Sequence, residues 1–100
     1  MPKIYEYFGF IFYFFSREHE PIHVHVIHND KESIFDIIIN NGELSELNIR
    51  ERKGFQPLSS REQATAKKFI EKYYSRIAEK WFQFFVLRKI VRCTKVKVKL

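Results

Sequence analysis

Four segments rich in β-branched and aromatic residues, separated by short turn signals, constrain the fold of this chain more than any other feature. They are "IYEYF" from Ile4, "FIFYFFS" after Gly9, "IHVHVIH" after Pro21 and "SIFDIII" after a turn predicted at residues 29–32. Segments of this composition, bounded by Gly, Pro, Asn or Asp, are typical of consecutive β-hairpins. The pattern therefore predicts an antiparallel meander.

The next turn signal extends the meander. Asn41-Gly42 suits the positive φ values of a type I′ hairpin turn, so a further strand is expected over about Leu44–Ile49. Residues 1–50 are thus predicted to form a meander of four to five strands. Residues 50–57 are polar, contain Gly and Pro and carry no hydrophobic period, which indicates a connecting loop.

A helical segment is predicted over residues 58–87. Ser59 and Glu62 have the spacing of a capping box, and apolar residues then recur at intervals of three and four up to Phe85. A straight helix from Ser60 to Leu87 would be about 42 Å long at about 1.5 Å per residue. A domain with a radius of gyration of about 13 Å is too small for a straight helix of that length to pack along it, so we predict a break near Tyr74–Ser75.

The whole positive charge excess lies in residues 88–100. The chain has 18 Lys and Arg against 12 Asp and Glu. Six of the basic residues fall where no acidic residue occurs: Arg88, Lys89, Arg92, Lys95, Lys97 and Lys99. "TKVKVKL" at 94–100 alternates strictly, which predicts a strand with Val96, Val98 and Leu100 on one face. Its lysines suit three roles: protection of an edge strand, a nucleic-acid-binding ribbon, or a strand that forms a homodimer.

These elements predict an α+β fold in a single domain, residues 1–100, with an antiparallel β-sheet packed against a C-terminal helix or broken helix pair and followed by a basic C-terminal strand. Cys93 is the only cysteine, so nothing in the sequence indicates an oxidising compartment, and a cytoplasmic location is expected. "YFGFIFYFF" at 7–15 has half the length of a membrane-spanning helix, so no membrane contact is expected.

All four histidines lie within ten positions, and strand alternation separates them into two sets. His23 and His25 are expected on one face of their strand, and Val24, Val26 and His28 on the other. His19, in the loop before Pro21, could fold over the first face. The set His19, His23 and His25 would suit zinc or another divalent metal. With Arg17, the same histidines would suit acid–base cleavage of RNA, and a purely structural role stays open.

The chain also resembles a known family. The motifs that carry the resemblance are "MPKI", "FGFIFYFFSREHEP", "HVHV", "IFDI", "GEL" and "IAEKWFQ", over roughly residues 1–86. They are similar to the small bacterial domain-of-unknown-function family 4160, whose members carry His-x-Pro-Pro-His-Phe-His. Ile22 and Val24 depart from that pattern, and the basic tail lies outside it.

The resemblance implies a compact α+β protein that is often encoded beside a small second protein, in what look like toxin–antitoxin pairs. We therefore expect one half of such a pair, which binds a small cognate partner protein or RNA. If it is the toxin, we expect RNA cleavage by Arg17, His19, His23 and His25. The alternatives are a non-catalytic protein- or nucleic-acid-binding module and a metal-binding module with a structural histidine site.

Overall fold

A computed structural model describes residues 2–15 and 22–100, in which one six-stranded sheet packs against one α-helix. The helix α1 spans Ser60–Trp81. The strands are β1 Lys3–Tyr7, β2 Phe10–Tyr13, β3 Ile22–His28, β4 Lys31–Asn40, β5 Glu43–Glu51 and β6 Thr94–Val96. The predicted α+β class, with a five-stranded meander followed by a helix and a basic strand, is confirmed.

Tight two-residue turns set the register of the meander. The strand order is β5-β4-β3-β2-β1-β6, and each consecutive pair from β1 to β5 is antiparallel. Both residues of Phe8-Gly9, Asn29-Asp30 and Asn41-Gly42 have positive φ, as a type I′ turn requires. The Asn41-Gly42 prediction is confirmed. The turn predicted at residues 29–32 is shorter than expected, because Lys31 and Glu32 already pair in β4. The Asn29-Asp30 turn places His28 opposite Lys31, and every later pair of β3 and β4 follows from that match.

The core lies between α1 and one face of the sheet. The side chains of Phe12, Val26, Phe35, Phe69 and Ile77 are completely buried there. They come from three strands and from the apolar stripe of the helix. Burial of this stripe stabilises α1 far more than helix propensity alone would.

The helix α1 is continuous through Tyr74–Ser75, so the predicted break is wrong. A π-helical turn, Phe82–Val86, follows α1 directly, and the Leu87 N–H donates to the Phe82 carbonyl across it. The prediction failed because a radius of gyration understates the longest dimension, which is 33 Å and matches the roughly 33 Å of a 22-residue helix. No helix in the described part of the chain is long and apolar enough to cross a lipid bilayer.

The basic strand β6 pairs in parallel with β1, with Tyr5 opposite Thr94 and Tyr7 opposite Val96. The strand predicted over residues 94–100 is therefore wrong in extent, because only its first three residues pair. The turn at Phe8 ends β1 immediately after Tyr7 and leaves no strand for later residues to pair with. Val98 is consequently exposed, although Val96 and Leu100 pack against the core.

Lys80 of α1 holds the C-terminal segment against β1. Its ammonium Nζ donates to the carbonyl oxygens of Ile4 at 2.9 Å and Arg92 at 2.7 Å, and to the hydroxyl of Thr94 at 3.0 Å. These three bonds use all three ammonium protons. Burial lowers the pKa of Lys80, which is the expected effect of desolvating a cation.

Glu62 joins the start of α1 to the hairpin between β3 and β4. Its carboxylate accepts from Ser59 N–H at 2.8 Å, and the Ser59 hydroxyl accepts from Glu62 N–H at 3.2 Å, which confirms the predicted capping box. The same carboxylate lies 2.5 Å from His28 Nδ1 and 3.0 Å from Lys31 Nζ. The bond from His28 is the main reason that the pKa of Glu62 falls from 4.5 to about 2.

A depressed carboxyl pKa stabilises the folded state above the unfolded-state value of 4.5, and that stability is lost as the pH falls toward 2. We expect Glu62→Gln to lower the free energy of unfolding by about 2–3 kcal/mol at pH 6, and the deficit to shrink steadily between pH 5 and pH 2. Urea denaturation of both proteins between pH 2 and pH 6 measures this difference in the free energy of unfolding. Glu71→Gln, on the exposed side of the same helix, is the control; a deficit independent of pH would contradict the assignment.

Candidate functional site

The two central histidines share one face of β3, as strand alternation predicted, and the structure shows that this face is opposite α1. His23 pairs with Asp36 across the ladder and His25 with Ile34, and their ring centroids are 6.0 Å apart. His28 is on the other face, where it contacts Glu62 of the helix. Both His23, at 9% exposure, and His25, at 1%, are buried.

A buried carboxylate, that of Glu32 in β4, organises this face. One of its oxygens, Oε2, accepts from the Tyr13 hydroxyl at 2.5 Å and from Arg52 Nη1 at 2.8 Å, and lies 2.8 Å from His25 Nδ1. A carboxylate beside a guanidinium only accepts hydrogen bonds, so His25 carries its proton on Nδ1. We name Tyr13, His25, Glu32 and Arg52 the Glu32 network.

Arg52 is held in place by aromatic rings as well as by Glu32. Its guanidinium carbon lies 4.5 Å from the ring centroid of Phe15 and 4.2 Å from that of Phe55. Its Nη1 also donates to the Tyr13 hydroxyl at 2.9 Å. Flat guanidinium groups stack well on aromatic faces, and the two contacts fix the cation where it neutralises Glu32.

A second ion pair continues the polar surface toward the edge of the sheet. Arg50 donates from Nε and Nη2 to the two oxygens of Asp36 at 2.8 and 2.9 Å, a bidentate pair. Asp36 faces His23 across the ladder. An imidazole on β3, a carboxylate on β4 and a guanidinium on β5 therefore lie on neighbouring strands of this face. The Arg50 side chain is about half exposed, whereas the Glu32 carboxylate is buried.

The sequence interpretation missed Tyr13, Glu32, Asp36, Arg50 and Arg52 as members of this face. The sequence does contain a signal that places two of them, Glu32 and Asp36, on this face. A two-residue turn at Asn29-Asp30 places Glu32 and Asp36 on the same face as His23 and His25, because side chains alternate from a known register. No local signal places Arg52 there, since it lies 20 residues from Glu32 in the chain.

Two of the predicted catalytic residues, Arg17 and His19, lie outside the described residues. Among residues 2–15 and 22–100, no group of three or more His, Cys, Asp or Glu side chains converges as metal ligands would. A histidine that binds a metal often donates its other ring N–H to a carboxylate, as His25 does to Glu32. Zinc binding by His19, His23 and His25 stays a prediction, for which metal content of the purified protein is the measurement.

The six C-terminal cations are all exposed, and they form more than one group. Arg88 and Lys89 line a groove at the end of the π-helical turn, where Arg88 has a positive φ of 57°. Lys95 lies 3.8 Å from Glu6, and Lys99 stands over the ring of Phe8. Arg88 and Lys89 therefore lie at the groove, whereas Lys95 and Lys99 lie beside residues at the end of β1.

Comparison with known proteins supports the resemblance seen in the sequence. The family model of DUF4160, a domain of unknown function, matches residues 9–82. The chain belongs to the DUF4160 family. The match contains β2 to β5 and the whole Glu32 network, whereas all six C-terminal cations lie beyond it. Neither the curated proteins nor the solved structures give a match to this DUF4160 chain.

Proposed function

We propose that this DUF4160 protein is one half of a toxin–antitoxin-like pair in the cytoplasm, and that it acts by binding a small partner protein or RNA. The observation that carries the proposal is a contrast in exposure. His25, Glu32 and Tyr13 are between 1% and 3% exposed, whereas every C-terminal cation is exposed to solvent. A macromolecule can contact the second set directly and not the first.

The bonding of the Glu32 network supports a structural role for His25. A catalytic imidazole must come within hydrogen-bond distance of the group that it protonates or deprotonates. His25 is packed between the rings of Tyr13 and Phe15, with centroid distances of 5.0 and 4.3 Å. Its Nδ1 proton is already donated to Glu32, and the charge of that carboxylate is matched by Arg52.

Ribonuclease activity is the second candidate, and one feature favours it. A buried carboxylate that fixes the tautomer of a histidine is also how acid–base catalysts are oriented. In that case His25 or His23 would transfer the proton, and Arg17 and His19 would be the other catalytic residues. The two candidates differ in whether purified protein cuts RNA.

Co-expression with each product of the adjacent reading frames tests the pair, and incubation of purified protein with RNA tests catalysis. We expect a stable complex with one adjacent product, measured by light scattering after gel filtration, and intact RNA. Failure of both adjacent products to bind would refute the pair. RNA cleavage that His23→Gln abolishes, with the melting temperature unchanged, would establish the ribonuclease instead.

A further inference from the structure

We propose that the groove beside the π-helical turn binds a short, acidic, amphipathic helix of a partner protein. The groove has a volume of about 500 Å³. Phe84, Phe85, Ile90 and Val91 supply apolar lining, and Arg88 and Lys89 supply charge. The proposal deepens the proposed function and rests on it for the existence of a partner, because it names the surface and the chemistry of that partner.

One part of the apolar lining packs against the rest of the protein, and another part is exposed to solvent. Phe85 packs on Phe14 and Trp81, with centroid distances of 5.7 and 5.3 Å, so the groove has a rigid floor. In contrast, Ile90 of the lining is 94% exposed, and Val86 and Leu87, which precede Arg88 in the chain and are not part of the lining, are about half exposed. A cluster of large apolar side chains around a concave surface is a common feature of docking sites.

The charge around the groove selects an acidic partner. No acidic residue occurs after Glu79, whereas seven Lys and Arg residues follow it. Two of these cations, Arg88 and Lys89, line the groove itself. Complementary charge at the edge of an apolar site steers association and favours partners of opposite sign.

The backbone of the groove favours a helix over an added strand. Strand addition needs unpaired backbone groups, but the N–H groups of Leu87 and Lys89 already donate to the carbonyls of Phe82 and Gln83. What the groove offers is side-chain surface, which suits a helix that presents apolar residues at intervals of three and four. The lining combines the rings of Phe84 and Phe85 with the aliphatic side chains of Ile90 and Val91. This mixture suits leucine side chains, whereas its aliphatic part offers RNA bases no ring on which to stack.

A second copy of the chain does not provide this partner segment. The sequence of β5 combines leucine with glutamate, but Leu44 and Leu47 pack against the core of their own molecule. The helix α1 carries more Lys and Arg than Glu, so its charge repels the groove. The occupant is therefore a different protein.

The test uses a synthetic helical peptide with leucines at intervals of three and four and glutamates between them. Fluorescence anisotropy should show binding by the full chain that weakens with salt, and no binding of a matched peptide with lysine in place of glutamate. Arg88→Glu with Lys89→Glu, and separately Ile90→Asp, should each weaken binding about tenfold or more. Because these three side chains are exposed, the fold should be unaffected.

Matched controls place the same changes outside the groove. Lys67→Glu with Lys68→Glu on the exposed side of α1, and Val98→Asp in the tail, should leave peptide affinity within about twofold. Equal losses in the controls would overturn the proposal. So would tighter binding of a single-stranded oligouridine probe than of the peptide, or a doubled mass that Ile90→Asp returns to that of one chain.

The co-expression experiment separates this proposal from the proposed function. If an adjacent gene product binds and the complex survives all three groove substitutions unchanged, the groove is refuted and the pair stands. If no adjacent product binds, the pair is refuted, and the peptide measurement still decides whether the groove recognises an acidic helix. Loss of the complex in the groove variants alone, with the controls intact, supports both.

Discussion

Replacing Phe69 with alanine is expected to lower the free energy of unfolding by about 3–5 kcal/mol, the cost of deleting a buried phenyl ring and leaving a cavity. The ring is completely buried and lies between α1 and the first two strands. Its centroid is 4.5 Å from that of Phe12, 4.6 Å from Tyr73 and 5.1 Å from Tyr7. Small domains have about 5–15 kcal/mol of stability in total, so the variant should be close to unfolding.

Urea denaturation followed by tryptophan fluorescence measures the Phe69 effect, since Trp81 is the only tryptophan. Phe82→Ala is the matched control, because that ring is 48% exposed and its removal should cost about 1 kcal/mol or less. Phe69→Leu, which keeps part of the volume, should fall between the two. Equal losses for Phe69→Ala and Phe82→Ala would show that the core is not centred on this ring.

Replacing Glu32 with alanine is expected to lower the free energy of unfolding by about 3 kcal/mol, because it leaves the donors of Tyr13, His25 and Arg52 without their shared acceptor. Arg52 is about one-quarter exposed, so water can solvate part of its charge and limit the loss. Glu46→Ala on β5 is the control, since an exposed carboxylate should change stability by about 0.5 kcal/mol or less.

A double-mutant cycle determines whether the Glu32 network acts as a unit. Glu32→Ala and Arg52→Ala should together cost less than the sum of their separate effects, with a coupling energy of about 1–3 kcal/mol, because either change alone leaves a charge without its partner. The same urea experiment measures all four proteins. Strict additivity would mean that Glu32 does not hold Arg52, whose other contacts are the Tyr13 hydroxyl and the rings of Phe15 and Phe55.

Local sequence signals predicted the elements and the orientation of the histidines. Asn41-Gly42 indicated its turn because few residue pairs accept two positive φ values, and Ser59 with Glu62 indicated the start of α1 because their side chains satisfy free backbone N–H groups. The separation of His23 and His25 from His28 followed from the two-residue period of a strand. Each of these properties depends on a few neighbouring residues.

What only the tertiary structure decided involves residues far apart in the chain. The Glu32 network forms only where Tyr13 of β2, Glu32 of β4 and Arg52, directly after β5, meet. The docking of β6 depends on Lys80 reaching the carbonyl of Ile4, 76 residues away. The end of β6 at Val96 is likewise imposed by the turn that terminates β1. Local propensity and periodicity describe how a segment folds, whereas these features depend on which other segments lie beside it.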